Sequence, residues 1–397
     1  MPSRRIRAAA LGLTLMLVAA PWPGRAGTEV PPLLNRPRCG TAAGASNAGE
    51  RSTLRVATFN ILHGLEETPT YPTHSTFDAR LELAVQAIAG SQIDLLGMQE
   101  VSKTEGARKH RSGLAVRRMA SRLAQITGQS WHWCWALSNP HFPLEPDILV
   151  GGGGPISNFM ATQASGNYAS FKEGSAVLSR YPITAAESRR LPLRLPVEYV
   201  ACPPDEIPDC NLTTIFDHRI ALWARIAAPG GTADIVTAHF AHHLTPLSEA
   251  SKYQHAVAVV AFADEEAARH GEPVRRFLTC DCNLTTEDTP SGVRFITDHG
   301  WTDTFAAQNG GGHCTADDRA GCTSDQDILA SGSTTSERID YVFARGGTCS
   351  LTLGASQKFA DAPSAVPGHA HLWPSDHHAV WTDVVPDCIP GEPIPLL

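Results

Sequence analysis

Apolar residues recur along this chain in short runs, and most runs end on a polar residue. Leu54–Ile61 reads as a strand, Asp78–Ala89 carries apolar positions at helical spacing with Asp78 near its start, and Ile93–Met98 reads as the next strand. That strand–helix–strand opening argues for a mixed α/β fold. Gly113–Ile126 predicts a second helix and Ser248–Arg269 a long one. Strand-like runs follow at Trp131–Trp135, Gly174–Ser179, Asp217–Ile226, Ala233–Ala238, Arg276–Cys280, Ile339–Ala344, Ser350–Gly354 and His378–Val384. No linker and no internal repeat interrupts the chain after Leu54, so residues 51–387 are expected to form one domain. Its expected architecture is a four-layered α/β/β/α sandwich, two packed mixed β-sheets flanked by helices. Residues 27–50, rich in Pro, Gly and Ala, read as a flexible or draped N-terminal arm, and residues 388–397 as a tail. Residues 139–168 read as a long loop containing Gly151–Gly154; no Gly-Lys-Ser/Thr follows, so this is not a phosphate cradle. Residues 306–337, polar and Gly-rich, read as a surface loop.

The N-terminus changes the picture. Arg4, Arg5 and Arg7 precede a short apolar stretch from Ala8 to Ala20, with small residues following toward Ala26, as in a secretory signal peptide spanning residues 1–26. The expected product is exported, extracellular and free of a membrane anchor. Removing that segment takes Arg4, Arg5, Arg7 and Arg25 and no acid, moving the formal charge from −8 to −12. An acidic domain has no long-range attraction for polyanions, so any such binding must rest on a local cationic cluster or bound cations. The 10 cysteines of an exported chain suggest disulfides. Cys202/Cys210 and Cys314/Cys322 are the readiest pairs, and Cys349 with Cys388 is a further pairing. Cys280 and Cys282 flank Asp281 on a strand, so alternation turns both away from it toward the core, as buried thiols or half-cystines. No CxxC pair supports a zinc site.

Chemistry concentrates where the apolar runs end. Asn60 closes Leu54–Asn60, Glu100 closes Asp94–Glu100, and His239 closes Thr237-Ala238-His239. Asp281 and Asn283 close Leu278–Asn283, Asp340 opens Asp340–Phe343, and Ser375-Asp376-His377-His378 precedes the last strand. Singly each has a plain explanation: Asn60 as a turn former, Glu100 as the point where a strand meets solvent, His377-His378 as an exposed pair. His239 and His243 invite a zinc reading, which a strand-to-loop position does not support. Together they supply carboxylate and amide oxygens suited to Mg²⁺ or Ca²⁺ and imidazoles suited to proton transfer. That combination fits metal-assisted phosphoester hydrolysis.

In order and wording these motifs resemble the endonuclease/exonuclease/phosphatase superfamily, which includes deoxyribonucleases, neutral sphingomyelinases and inositol phosphatases, over roughly residues 54–385. The resemblance implies Mg²⁺, or alternatively Ca²⁺ or Mn²⁺, held principally by Glu100, with Asn60 close to both metal and scissile phosphate and Asp376 a further acidic ligand or orienting group. It implies that Asp281 and Asn283 orient the attacking water and phosphate oxygens, that Asp340 holds the imidazole of His377, and that His239 is the second histidine. Where that family has Gly-Asp-x-Asn, this chain has Cys280-Asp281-Cys282-Asn283.

A finer likeness to pancreatic-type deoxyribonucleases at Ser170–Ser179 implies Glu173 as the partner of His239. The Cys202…Cys210 segment before Asp217–Leu222 implies Arg219 as a phosphate-binding arginine. Ser102, in place of a groove-reading arginine, and Phe171, in place of a tyrosine, depart from that pattern. The expected activity is an extracellular nuclease, a monomer acting on nucleic acid with no stable protein partner. The alternatives are a phospholipase C or sphingomyelinase cleaving a phospholipid headgroup, supported by the acidic charge and by Trp131, Trp133 and Trp135, which would touch a membrane or, on the plainer reading, lie in a core strand, and a small-molecule phosphatase.

Overall fold

The computed structural model describes residues 36–46, 53–62, 77–104, 113–139, 171–192, 219–241, 246–288, 290–312, 314, 319–324, 326–364 and 371–388. The expected signal peptide, most of the arm, Cys202 and Cys210, the tetraglycine loop, His242, His243 and residues 389–397 lie outside them. Two mixed sheets pack face to face. The first runs β1 (Arg38–Ala42), β5 (Trp131–Asn139), β6 (Phe171–Ser179), β3 (Leu95–Thr104), β2 (Leu54–Asn60), β14 (Ala379–Pro386), β13 (Leu351–Phe359), with β4 (Gly113–Leu114) also on β3. The second runs β11 (Thr302–Asp303), β12 (Asp340–Gly346), β10 (Arg275–Asp281), β9 (Gly231–His239), β8 (Ile220–Ala228), β7 (Ile183–Arg190). Helices α1 (Phe77–Gly90) and α2 (Ala115–Thr127) cover the outer face of the first sheet. Helices α3 (Pro246–His270) and α4 (Gly292–Asp298) cover the second, and α5 (Thr304–Gln308) leads out of β11. This is the α/β/β/α sandwich.

Strand alternation sorts the residues into layers. Ala57, Phe59, Leu96 and Met98 join α1 and α2 in one core, and Val236, Ala238, Leu278 and Cys280 join α3 in another. Leu54, Val56, Leu95, Ile235, Phe277 and Val342 fill the space between the sheets. Further along these same strands the inward positions turn polar: Thr58, Gln99, Thr237 and Thr279 are buried, and the Gln99 amide donates to Thr58 Oγ1 (3.2 Å) and Thr237 Oγ1 (3.0 Å). Gly97 belongs to this layer because any side chain there would strike the Thr279 and Thr237 hydroxyls. The next inward positions are Asn60, His239, Asp281 and Asp340. The sandwich therefore grades from apolar to hydroxyl-lined to ionisable along its strands.

Two expectations need correction. Residues 38–42, assigned to the flexible arm, form the edge strand β1, paired antiparallel with β5 from Arg38↔Trp135 to Ala42↔Trp131 and tied to it by a Cys39–Cys134 disulfide. Arg-Cys-Gly-Thr-Ala shows no alternation of its own, because β5 supplies the hydrogen-bonding template. The supposed surface loop 306–337 is partly interior: Thr323, Ser324, Gln326 and Thr335 are buried. The tryptophans of β5 follow the core alternative rather than the membrane one, with Trp131 and Trp135 buried and Trp133 packed against Gly40 of β1.

Candidate active site

Parallel pairing brings the site together. β2 and β3 run parallel in one sheet, and β9 and β10 in the other, so all four deliver their C-terminal residues to the same end. β12 is antiparallel to β10 and begins there; across this sheet His239, Asp281 and Asp340 are register partners in one row. β14, antiparallel to β2, also begins at this end, placing Ser375-Asp376-His377 beside Asn60.

Glu100 arrives differently. Strict alternation would point it with Leu96 and Met98 toward the helical core, but the pairing with β6 slips between Met98 and Val101, and Glu100 takes a positive φ of 55°. This bulge re-aims the carboxylate inward.

Asn60, fully buried, is the hub. Its amide nitrogen donates to Glu100 Oε1 (3.0 Å) and to Asp281 Oδ2 (2.8 Å) and lies 3.5 Å from His377 Nε2. Its Oδ1 accepts the Leu62 amide (3.0 Å), so the turn-former reading also holds, through the other end of the same side chain. His377 Nδ1 lies 2.8 Å from Asp340 Oδ2, which leaves Nε2 facing Asp281 Oδ2 at 3.7 Å. His239 Nε2 stands 3.3 Å from the same Asp281 oxygen. The Asn283 amide donates to Asp281 Oδ1 (3.1 Å), and the Asn283 side chain donates to the Phe240 carbonyl (3.2 Å). Burial pushes Asp281 up to about 6; the His377 charge and the Asn60 hydrogen bond oppose this, while the Asp340 and Glu100 charges add to it. Burial pulls His377 down, but Asp340, Asp281 and Asp376 together hold it well above the ordinary imidazole value.

Asp376 is partly exposed and accepts from the Ser375 hydroxyl (3.1 Å). Arg219 is buried immediately before β8, whose Ala221 pairs with Ala238, one residue short of His239. Glu173 lies on β6 opposite Ser102 of β3 and Asn139 of β5. The hydroxyl of Ser138 donates to its carbonyl (2.9 Å).

Three further residues support the site, and two of them, Arg80 and Thr323, lie outside every motif. Arg80 of α1, only 1% exposed, donates to the Ile61 and Leu62 carbonyls (3.1 Å each) and reaches the Pro374 carbonyl (3.5 Å), joining the turn after Asn60 to the one before Ser375. Burial lowers it to about 10, against the pull of Asp376 and Glu100, so it stays cationic. A lone arginine on the apolar face Leu81, Ala84, Val85, Ile88 was the available signal. The Ser375 hydroxyl donates to the Asn60 carbonyl (2.7 Å) and accepts the His377 amide (3.2 Å). Thr323 Oγ1 accepts the Ile339 and Asp340 amides (3.2 Å each), setting the start of β12; nothing in its polar surroundings marks it.

The donor set fits a hard divalent cation. Glu100, His239 and Asp281 each offer a ligand atom within 4.8 Å of the others, as do Asp281, Asp340 and His377; Asp376 is in neither group. Asp340 Oδ1 is also buried without a hydrogen-bond partner among the described residues.

The fold is similar to those of an endonuclease/exonuclease/phosphatase from Beutenbergia cavernae (19% identity, 86% of this chain and 74% of that one, TM-score 0.53) and a family protein from Bacteroides thetaiotaomicron (16%, 84% and 94%, 0.52). It is also similar to that of a Bacteroides thetaiotaomicron mannosyl-6-phosphatase (15%, 84% and 99%, 0.51). No curated protein matches the sequence. Members of the family hydrolyse phosphoric esters with divalent metals. Residues 57–274 match the endonuclease/exonuclease/phosphatase family, more than half of the chain, and the chain belongs to it.

Proposed function

We propose that this protein is an exported, Mg²⁺-dependent phosphodiesterase that hydrolyses nucleic acid. The observation that carries the reading is the single amide of Asn60 joining Glu100 to Asp281 beside the Asp340–His377 pair. Glu100 and Asp281, with Asn60 beside them, would hold the ion, which when bound neutralises phosphoryl oxygens and acidifies water. The attacking water forms its bond to phosphorus as the bond to the leaving oxygen breaks. Asp281, held from both sides by Asn60 and the Asn283 amide, orients that water and accepts its proton. His377, kept protonated by its carboxylate neighbours, donates from Nε2 to the phosphoryl oxygens where negative charge develops. Asp376 acts as an orienting charge between Arg80 and His377. His239, with Glu173 as its proposed partner, stands nearest the leaving group and protonates the departing oxygen, and Arg219 receives the flanking phosphate.

Burial of Trp131 and Trp135 takes away two of the aromatic side chains that would touch a lipid surface, which favours nucleic acid over a phospholipid headgroup. The absence among the described residues of a helix long and apolar enough to cross a membrane is compatible with export. The test is side-by-side hydrolysis of plasmid DNA, RNA and sphingomyelin vesicles by the oxidised protein with Mg²⁺. Nicking or degradation of nucleic acid is expected. Headgroup release with nucleic acid left intact would overturn the substrate assignment and keep the chemistry.

A further inference from the structure

Cys280 and Cys282 are joined in a disulfide that straddles Asp281. Both are fully buried in the apolar core beneath α3, in a cluster with Phe240, Ala256, Val260 and Leu284, on the face of β10 opposite the site. Their Cα atoms are 5.0 Å apart, whereas an extended strand covers roughly 6.6 Å over two residues. The cross-link therefore coincides with a local contraction of the backbone centred on Asp281. Contraction on the core side makes the strand convex toward the site, the side on which Asp281 projects. The consequences appear at once in the chain: the Cys282 amide still donates to the Ile339 carbonyl (2.9 Å), but Asn283 already has a φ of 47° and turns its own amide back onto Asp281 Oδ1. Asparagine enters the left-handed region more readily than other non-glycine residues, and here the bond of its amide to Asp281 Oδ1 holds the turn in place.

The geometry points to the Cys280–Cys282 disulfide as a positioning device for the active site: closed, it fixes the curvature at the end of β10 and so aims the Asp281 carboxylate and the Asn283 side chain together. This rests on the proposed roles of Asp281 and Asn283. A three-residue ring stiffens its own backbone and braces nothing distant, so the effect is local, unlike that of Cys39–Cys134, which closes a loop across 95 residues. The two cysteines are positioning residues acting through the one between them.

The test compares the oxidised wild type with Cys280→Ser/Cys282→Ser and with Cys280→Ala/Cys282→Val, the second pair suited to the apolar surroundings. Two readouts are taken: Mg²⁺-dependent turnover of bis(p-nitrophenyl) phosphate, and amide hydrogen exchange in EDTA. The expected result is a fall in kcat of about 10- to 100-fold with KM within about threefold, since a misplacement near 1 Å costs on that order. Exchange should rise at positions 282 and 283 while residues 276–279 stay protected. A folded variant with wild-type kcat and wild-type exchange at 282 and 283 would overturn the inference. So would exchange rising uniformly along β10, or failure of both variants to fold, since the cross-link would then hold the fold rather than the site. If the wild type turns over no phosphoester, the functional reading fails, and the exchange pattern alone decides the role of the disulfide.

Discussion

Asp281→Asn separates what the site does from what it costs the fold. In the metal-free protein the Asp281 carboxyl is pushed from 3.8 up to about 6, chiefly by burial. Two units at about 1.4 kcal/mol each put roughly 3 kcal/mol against the ionised form in the folded state. The folded protein binds this proton more tightly than the unfolded chain. The resulting stabilisation is complete below about pH 4 and is lost as the pH rises through about 6. Asparagine keeps the size and removes the charge. Its cost is a donor mismatch: Oδ1 now accepts from the Asn283 amide while Oδ2 faces Asn60, His239 and His377, and one carboxamide oxygen cannot serve both sides. That mismatch is worth about 1–3 kcal/mol at any pH. Relative to wild type, the variant should therefore be less stable at pH 4 and gain about 3 kcal/mol on going to pH 8. His377 adds in the same direction. Its raised value gives stability that is full below the ordinary imidazole pKa and lost at higher pH, and Asp281 is one of the charges that raise it. Urea denaturation in EDTA at pH 4, 6 and 8 measures the difference, and turnover with Mg²⁺ should fall by about 10²- to 10⁴-fold. A stability difference that does not move with pH, or activity within tenfold of wild type, would refute the reasoning.

Other outcomes follow from single contacts. Glu100→Gln should weaken Mg²⁺ or Mn²⁺ binding by about 10- to 100-fold by calorimetric titration, with the melting temperature in EDTA unchanged or raised; unchanged affinity would remove Glu100 from the ligand set. Arg219→Ala should raise KM for DNA several-fold and leave KM for bis(p-nitrophenyl) phosphate unaltered, and Glu173→Gln should shift the pH dependence of turnover if Glu173 partners His239. An equal effect of Arg219→Ala on both substrates would argue that Arg219 supports structure alone. Cys39→Ser/Cys134→Ser should destabilise by about 2–5 kcal/mol in guanidinium without altering kcat, because it opens a 95-residue loop at the edge of the first sheet, where β6 separates β5 from β3; a lost kcat at intact stability would contradict that placement.

Much of the site was legible because it lies at strand ends, where an apolar run stops on a functional group. Asn60, His239, Asp281 and Asp340 are inward positions of regular strands, and alternation alone sends Cys280 and Cys282 to the other face. The direction of Glu100 was not legible, since alternation assigns it to the core and only a bulge reverses it. β1 escaped because its pairing is dictated by a partner 95 residues away. β7 escaped because Ile183–Arg190, on the sheet edge, alternates too weakly to stand out from a loop. Arg80 and Thr323 serve the site through backbone carbonyls and amides, and such contacts leave almost no trace in composition or spacing.

The central claim is that the row His239, Asp281, Asp340 and the residues facing it hydrolyse phosphoric esters with a divalent ion. The most direct measurement is the steady-state hydrolysis of plasmid DNA by wild type and His377→Ala, each with Mg²⁺ and with EDTA. The account predicts turnover by wild type that EDTA abolishes, and a His377→Ala protein that folds normally but is slower by about 10²- to 10⁴-fold. Turnover that persists in EDTA, or a His377→Ala protein as fast as wild type, would contradict it.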